Sequence, residues 1–300
     1  MYRIGIDLGG TNTAAGLVDE AGRIVDRESA KTNLPTNIDR IIHSITQLCR
    51  TLMERNGLQK RDIRCVGVGV PCTANVKTGW MQDADHLGFS GGPLTQPLEA
   101  TLGLPVAIGN DADAAALGEF VGGGYDGNSF VLVTLGTGIG GGIILNGKLY
   151  KSCNNAAGEL GHMAIQMDAE PCVCGGRGCF ESYGSASALI CQAREATGED
   201  ITEAKTVFDR AAAGDETCIA VLDRYCTYLA IGFANIINIL GPDYLCIGGG
   251  VSAAGDALLK PVREKTYKRV YAKDAEQNTK IILARLHNDA GILGAAMLEK

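Results

Sequence analysis

Three hundred residues, 46% of them hydrophobic, can bury a large core and make one large domain or two of medium size. A formal charge of −7 gives no support to nucleic-acid binding, which needs a basic face, but leaves room for phosphate held by backbone dipoles and a metal ion. Eleven cysteines, no signal peptide ahead of Tyr2-Arg-Ile-Gly-Ile-Asp7 and no apolar run of membrane-spanning length predict a reduced, cytoplasmic protein without a membrane anchor.

Tyr2 to Asp7 alternates as a strand does, and Leu8-Gly9-Gly10-Thr11-Asn12 makes a glycine turn. Thr13 to Val18 is a second strand, and Asp19-Glu20-Ala21-Gly22 turns into a third near Ile24-Val25. This is a β-meander, not a strand-to-helix crossover. Ile38, Ile41, Ile42, Ile45 and Leu48 have helical spacing, and Cys65 to Val70 reads as a buried strand. After the strand Val106-Ala107-Ile108, Asn110-Asp111 opens an alanine-rich helix to Phe120. The pattern then recurs: a strand Phe130 to Leu135, a turn through Gly136-Thr137-Gly138 to Gly142, and a returning strand Ile143 to Leu145 before Asn146-Gly147. Two such units predict an internal duplication. A long helix (roughly Thr217 to Ile239), a strand Tyr244 to Ile247, a turn Gly248-Gly249-Gly250 and a final helix Ala290 to Met297 complete the chain.

Glycine lets a backbone approach a ligand and aim consecutive N–H groups at an anion. The turns Gly9-Gly10-Thr11 and Gly136-Thr137-Gly138 each add a hydroxyl, so together they suit a polyphosphate, with Asp7 in reach of its magnesium; alone, each is equally a tight hairpin. Gly136-x-Gly138-x-x-Gly141 matches a dinucleotide fingerprint, but a strand follows where a helix is required. Gly142-x4-Gly147-Lys148 resembles a phosphate-binding loop, yet Leu149 stands where a hydroxyl should hold magnesium. Asp111 is placed either as a helix cap or as a general base toward a hydroxyl, with Asn110 to orient that hydroxyl; Asp113 is the competing carboxylate.

The densest chemistry lies in Glu159-Leu-Gly-His162 and Cys172-Val-Cys174-Gly-Gly-Arg-Gly-Cys179-Phe-Glu181. One histidine and three cysteines, close in sequence and glycine-spaced, predict a closed tetrahedral zinc site at His162, Cys172, Cys174 and Cys179. A closed site is structural, and it shapes the segment carrying Glu159, His162 and Glu181, side chains suited to gripping hydroxyls. The remaining cysteines (Cys49, Cys65, Cys191, Cys218, Cys226, Cys246) sit among apolar residues as buried thiols do.

These residues together resemble the bacterial ROK family of sugar kinases, from Asp7-Leu-Gly-Gly-Thr11 to Asp289-Ala-Gly-Ile-Leu-Gly-Ala-Ala296, most specifically in the Glu159-to-Glu181 run. The resemblance implies an α/β, two-lobed actin/hexokinase/Hsp70-type ATPase fold with duplicated ribonuclease H-like lobes and the substrates in the cleft. The lobes are expected at residues 1–118 with 290–300, and at 119–289 with the zinc loop. It implies that Asp7, Gly9, Gly10, Thr11, Asn12, Gly136, Thr137 and Gly138 serve the phosphates of ATP, and that Gly248, Gly249 and Gly250 lie near its adenosine. Asp111 is then the base, and Asn110, Glu159, His162 and Glu181 bind a hexose, His162 using one ring nitrogen for zinc and one for sugar. The run Ala157-Gly158-Glu159-Leu-Gly-His162 looks like the glucokinases, whereas N-acetylmannosamine kinases tend to carry a histidine at the position of Glu159. Two departures bear on the sugar: Cys72 of Val70-Pro71-Cys72-Thr73 replaces a loop glycine, and Asp85-His86-Leu87 stands where glucokinases read Asn-Asn-Leu. They leave another hexose or an N-acetylhexosamine (allose, N-acetylglucosamine, N-acetylmannosamine) as the alternative to glucose. A sugar-responsive regulator is disfavoured, because such family members carry a helix-turn-helix ahead of the first phosphate turn. A homo-oligomer, dimer or tetramer, is expected.

Overall fold

The computed structural model describes residues 1–152, 157–167 and 169–298. The first elements are β1 (Tyr2–Leu8), β2 (Asn12–Val18), β3 (Ile24–Lys31), α1 (Ile38–Arg55), β4 (Ile63–Val70) and the short strands β5 (Thr73–Asn75), β6 (Trp80–Gln82) and β7 (Gly91–Pro93). Then come α2 (Thr95–Leu102), β8 (Val106–Asn110), α3 (Asp111–Gly122), β9 (Phe130–Leu135), β10 (Ile139–Leu145) and β11 (Lys148–Leu149). The remainder is α4 (Glu181–Gly184), α5 (Ala186–Thr197), α6 (Ala204–Ala212), α7 (Glu216–Leu240), β12 (Tyr244–Gly248), α8 (Asp256–Tyr267), α9 (Ala275–Asn278), β13 (Lys280–Leu283) and α10 (Asp289–Met297). Contacts divide the chain into two units, residues 1–126, 148–157 and 285–300 in the first, and 127–147 and 158–284 in the second.

In the first unit the sheet runs β3-β2-β1-β4-β8. The opening meander is antiparallel, and β4 and β8 lie parallel to β1. Helix α1 starts at Asn37, whose side chain accepts the Arg40 N–H at 3.0 Å, and buries Ile41, Ile45, Leu48 and Leu52. Strands β5–β7, three residues each, form a separate small sheet that no periodicity announces.

The last helix, α10, is buried along Ala290 to Ala296 and meets its neighbours backbone to backbone. A Cβ added at Gly67 would lie 1.8 Å from the Ala295 carbonyl oxygen, and one at Gly294 would lie 1.6 Å from that of Ala114. The chain entering α10 is held by Glu119 of α3, a fully buried carboxylate. It accepts the Arg285 N–H at 2.7 Å, the Leu286 N–H at 3.0 Å and the Tyr125 hydroxyl at 2.6 Å. A buried charge needs such a set of donors, and here it has one.

The second unit repeats the arrangement: β10-β9-β12-β13, with β9 and β10 antiparallel and β12 and β13 parallel to β9. The match to β2-β1-β4-β8 is the duplication anticipated from the two glycine turns. Helix α7 starts at Asp215, which accepts the Thr217 and Cys218 N–H groups, and ends at Gly241 with φ 49°.

Three expectations need correcting. Gly140, Gly141 and Gly142 are inside strand β10, not in the turn. A Cβ at Gly141 would come within 2.6 Å of Leu160 and 2.7 Å of the Gly158 oxygen, so the glycine there serves close packing. Cys191 is exposed on α5, with its thiol 3.6 Å from Glu195, and Cys65 is half-buried, whereas Cys49, Cys218, Cys226 and Cys246 are buried as expected. Burial pushes the thiols of Cys49 and Cys226 up to about 12, as suits inert core cysteines. Finally, α7 is long and apolar enough by length and composition to cross a membrane. Half of its most apolar stretch is buried, including Leu229 and Phe233 in the core of its unit.

A glycine-to-alanine change in a helix ordinarily stabilises by roughly 0.5–1 kcal/mol. In Gly294→Ala the sign should reverse, with a loss of about 1–3 kcal/mol from overpacking against Ala114. Urea denaturation reads this directly; an unchanged or raised midpoint would show that α10 can move away without cost.

Candidate active-site elements

In the first unit, the sequence-derived candidates gather at the carboxyl ends of three neighbouring parallel strands. Asp7 on β1 pairs in register with Gly69 on β4, and Val70 with Asn110 on β8. Open α/β sheets bind ligands at such strand ends because the loops there can diverge. Burial pushes the Asp7 carboxyl above its ordinary value. Its Oδ2 lies 2.7 Å from where a Cβ on Gly291 would stand, so glycine in the first turn of α10 makes room for it.

The turn after β1 closes through the Gly9 N–H, which donates to the Asn12 carbonyl at 3.0 Å, and leaves Thr11 and Asn12 exposed. Thr32 of the following loop clamps it. Its hydroxyl donates to the Gly9 carbonyl at 2.6 Å and lies 3.2 Å from the Thr13 hydroxyl, while its N–H donates to the Thr11 carbonyl at 2.9 Å. Sequence reasoning missed Thr32, which matches no motif and sits beyond β3.

Of the two roles left open for Asn110-Asp111, the cap belongs to Asn110. Its Oδ1 accepts the Ala112 and Asp113 N–H groups at 2.8 and 3.2 Å, and its Nδ2 donates to the Cys72 carbonyl at 3.4 Å. Asp111 is the first helical residue, with its Oδ1 2.7 Å from the Ala112 nitrogen, where the helix dipole favours negative charge. The Cys72 side chain is only 8% exposed and packs in the core with Val70 and Met81; burial pushes its thiol up to about 12. The side chain of His86 lies outside the described residues. Its backbone belongs to a short turn, Asp85–Leu87, that ends at Gly88 with φ 99°.

In the second unit, the turn between β9 and β10 closes through the Gly136 N–H donating to the Gly138 carbonyl at 3.0 Å, with Thr137 exposed. Gly248 ends β12 in register with Thr134, and a Cβ on Gly249 would lie 2.4 Å from the Leu135 oxygen. The two glycine runs, more than 100 residues apart in sequence, thus adjoin at one end of this sheet.

Glu159 is exposed and leads a short turn, Leu160–His162, in which its carbonyl accepts the His162 N–H at 3.1 Å. Glu181, the first residue of α4, accepts the Ile139 N–H on Oε2 at 2.7 Å. Between them the chain forms a knuckle. Gly178 donates to the Glu170 carbonyl, Cys172 to that of Gly176, and Gly175 (φ 84°) to that of Cys172. The knuckle brings a ring nitrogen of His162 and the thiols of Cys172, Cys174 and Cys179 within 4.8 Å of one another. The Cys172 sulfur is 3.6 Å from His162 Nδ1, and the Cys174 and Cys179 sulfurs are 3.7 Å apart. A tetrahedron with zinc–sulfur bonds of about 2.3 Å and zinc–nitrogen bonds of about 2.1 Å has S···N edges near 3.6 Å and S···S edges near 3.8 Å. The donor set therefore fits zinc in its chemistry, and these two pairs fit it in spacing.

The ROK family profile matches residues 3–300. A glucokinase of Halalkalibacterium halodurans is 35% identical, over 100% of this chain and 95% of its own. The solved ROK glucokinase of Streptomyces griseus, in complex with glucose and AMPPNP, superposes with a TM-score of 0.84 at 32% identity, covering 99% of this chain and 98% of that one. The ROK hexokinase of Thermus thermophilus gives 0.84 at 28% identity, covering 99% and 97%. With two α/β units of matching strand order and a match along almost its whole length, the chain belongs to the ROK family.

Proposed function

We propose that this protein is a glucokinase, transferring the γ-phosphoryl group of ATP to the primary hydroxyl of glucose. Its likeness along almost the whole chain to glucokinases, one of them 35% identical, supports ATP-dependent phosphorylation of a hexose. The observation that supports the chemistry best is the division of labour at the start of α3. Asn110 caps the helix, and Asp111 directly follows it at a strand end. In the proposed reaction the sugar hydroxyl oxygen bonds to the γ-phosphorus as its proton passes to Asp111. The bond from phosphorus to the β–γ bridging oxygen breaks, and ADP departs with that electron pair. The glycine turns at residues 9–12 and 136–138 hold phosphate oxygens with N–H groups and the Thr11 and Thr137 hydroxyls. Magnesium, when bound near Asp7, offsets charge on the phosphates, and phosphoryl transfer is accelerated mostly by such positioning and charge stabilisation.

Glu159, Glu181, Asn110 and Nε2 of His162 take sugar hydroxyls. His162 presents Nδ1 to Cys172, which leaves Nε2 for the sugar. Zinc, if held by His162, Cys172, Cys174 and Cys179, would cross-link the knuckle. Cys72 acts on the sugar site indirectly: its side chain packs in the core, and its carbonyl orients the Asn110 amide.

Asp111→Asn should lower turnover by about 10²–10⁴-fold while glucose still binds, because the amide keeps the shape but cannot take the proton. An ADP-coupled assay and calorimetry separate the two effects; near-normal turnover would remove Asp111 from the mechanism. In a panel of hexoses and N-acetylhexosamines with ATP and magnesium, glucose should lead, with galactose and mannose about tenfold or more lower in kcat/KM. Glucose turnover that is negligible in the wild type but appears in Cys72→Gly would point to another hexose, and no turnover with any sugar would end the kinase reading. Elemental analysis should find one zinc per chain. Cys174→Ser should weaken metal retention, thermal stability and glucose affinity together, since the metal holds the segment between Glu159 and Glu181. Full activity after exhaustive metal removal would refute that dependence.

A further inference from the structure

The turn at Gly136–Gly138 is gripped at both ends by one short segment. At its start, the Gly136 carbonyl accepts the Ala186 N–H at 2.8 Å. At its end, the Ile139 N–H donates to Glu181 Oε2 at 2.7 Å. The fit leaves no slack: a Cβ on Gly138 would lie 2.2 Å from that same oxygen, and one on Gly161 would lie 2.3 Å from the Ile139 carbonyl oxygen.

The gripping segment is itself tied down. Phe180 is fully buried and packs edge-on against Phe233 of α7, ring centres 5.9 Å apart. The Tyr225 hydroxyl donates to the Gly184 carbonyl at 2.8 Å. On the other side, the Phe180 N–H donates to the Met163 carbonyl at 2.8 Å, one residue past His162, and Cys179 bridges to Ala164. A path of covalent and hydrogen bonds therefore leads from the metal-ligand knuckle through Glu181 to the glycine turn.

We propose that Glu181 is a positioning residue for the nucleotide: its carboxylate anchors the Ile139 N–H, and so couples the Cys/His knuckle to the phosphate-holding turn at Gly136–Gly138. This rests on the kinase reading and adds to the sugar contact proposed for the same side chain. Electrostatics and anchoring predict opposite signs. A carboxylate acting only through its charge repels phosphate, so its removal should tighten nucleotide binding. A carboxylate acting as an anchor holds donors in place, so its loss should weaken binding.

The test uses the full chain with zinc, without sugar, comparing wild type with Glu181→Gln, Glu181→Asp and Glu181→Ala. Two quantities are read: the Kd for magnesium AMPPNP and the amide exchange rate of Ile139 in nucleotide-free protein. Glutamine keeps an acceptor oxygen at the same reach and should hold both within about threefold of wild type, whereas alanine should raise both by about tenfold or more. Aspartate retains the charge but is one methylene shorter, and should behave like alanine; it also carries the test if the alanine variant fails to fold. Tighter nucleotide binding in both glutamine and alanine variants, or Ile139 exchange unchanged in aspartate and alanine, would overturn the anchor. If the wild type binds no AMPPNP, the kinase reading falls and takes the nucleotide role with it, whereas Ile139 exchange still reports the contact separately.

Discussion

Between Gly294 and Ala114, and between Gly67 and Ala295, there is no room for even a methyl group, so α10 lies directly on the backbones of α3 and the sheet. The first unit depends on this approach because two carboxylates take their places from it. Asp7 sits against Gly291 in the first turn of α10, and Asp111 opens α3, whose first turn carries Ala114 and whose last turn carries Glu119. Side-chain packing tolerates rearrangement, but a backbone contact offers no rotamer to adjust. Helix α10 therefore fixes the spacing of strand end and helix start more firmly than an interface of leucines would.

The second unit reaches an equivalent end by other means. Its glycine turn hangs from the segment between Glu181 and Ala186 through two hydrogen bonds, and that segment is held by Phe180 on one side and by the Cys/His knuckle on the other. Two copies of one strand order have thus acquired different supports. The first turn, four residues between the paired strand ends, is clamped by the Thr32 hydroxyl; the second, three residues, is clamped by a carboxylate.

Carboxylates do unlike jobs here, and surroundings separate them. Glu119 is fully buried and meets three donors, so its role is to hold the chain entering α10. Asp7 is driven upward by desolvation, a state that a bound cation would reverse. Asp111 lies at the positive end of a helix, and Glu159 is exposed. In composition all four are merely acidic residues. Their roles follow from what each one faces.

Much of this protein was legible in the sequence where the deciding interactions are local. The alternation of β1, the glycine bends after β1 and β9, the opening of α3 at Asn110-Asp111 and the grouping of Cys172, Cys174 and Cys179 depend on neighbours within a few residues, and strand and turn preferences act over that range. The sequence also carried the repeat, because each copy spells its own meander. Only the tertiary structure decided that Gly140 to Gly142 extend a strand, that Cys191 faces outward, that Thr32 clamps the first turn and that Glu181 holds Ile139. Glu181 and Ile139 are 42 residues apart, and Glu119 and Arg285 are 166 apart. No local preference reports on contacts of that separation. They arise when burial of the whole core brings distant backbone groups together and each buried polar group must find a partner there.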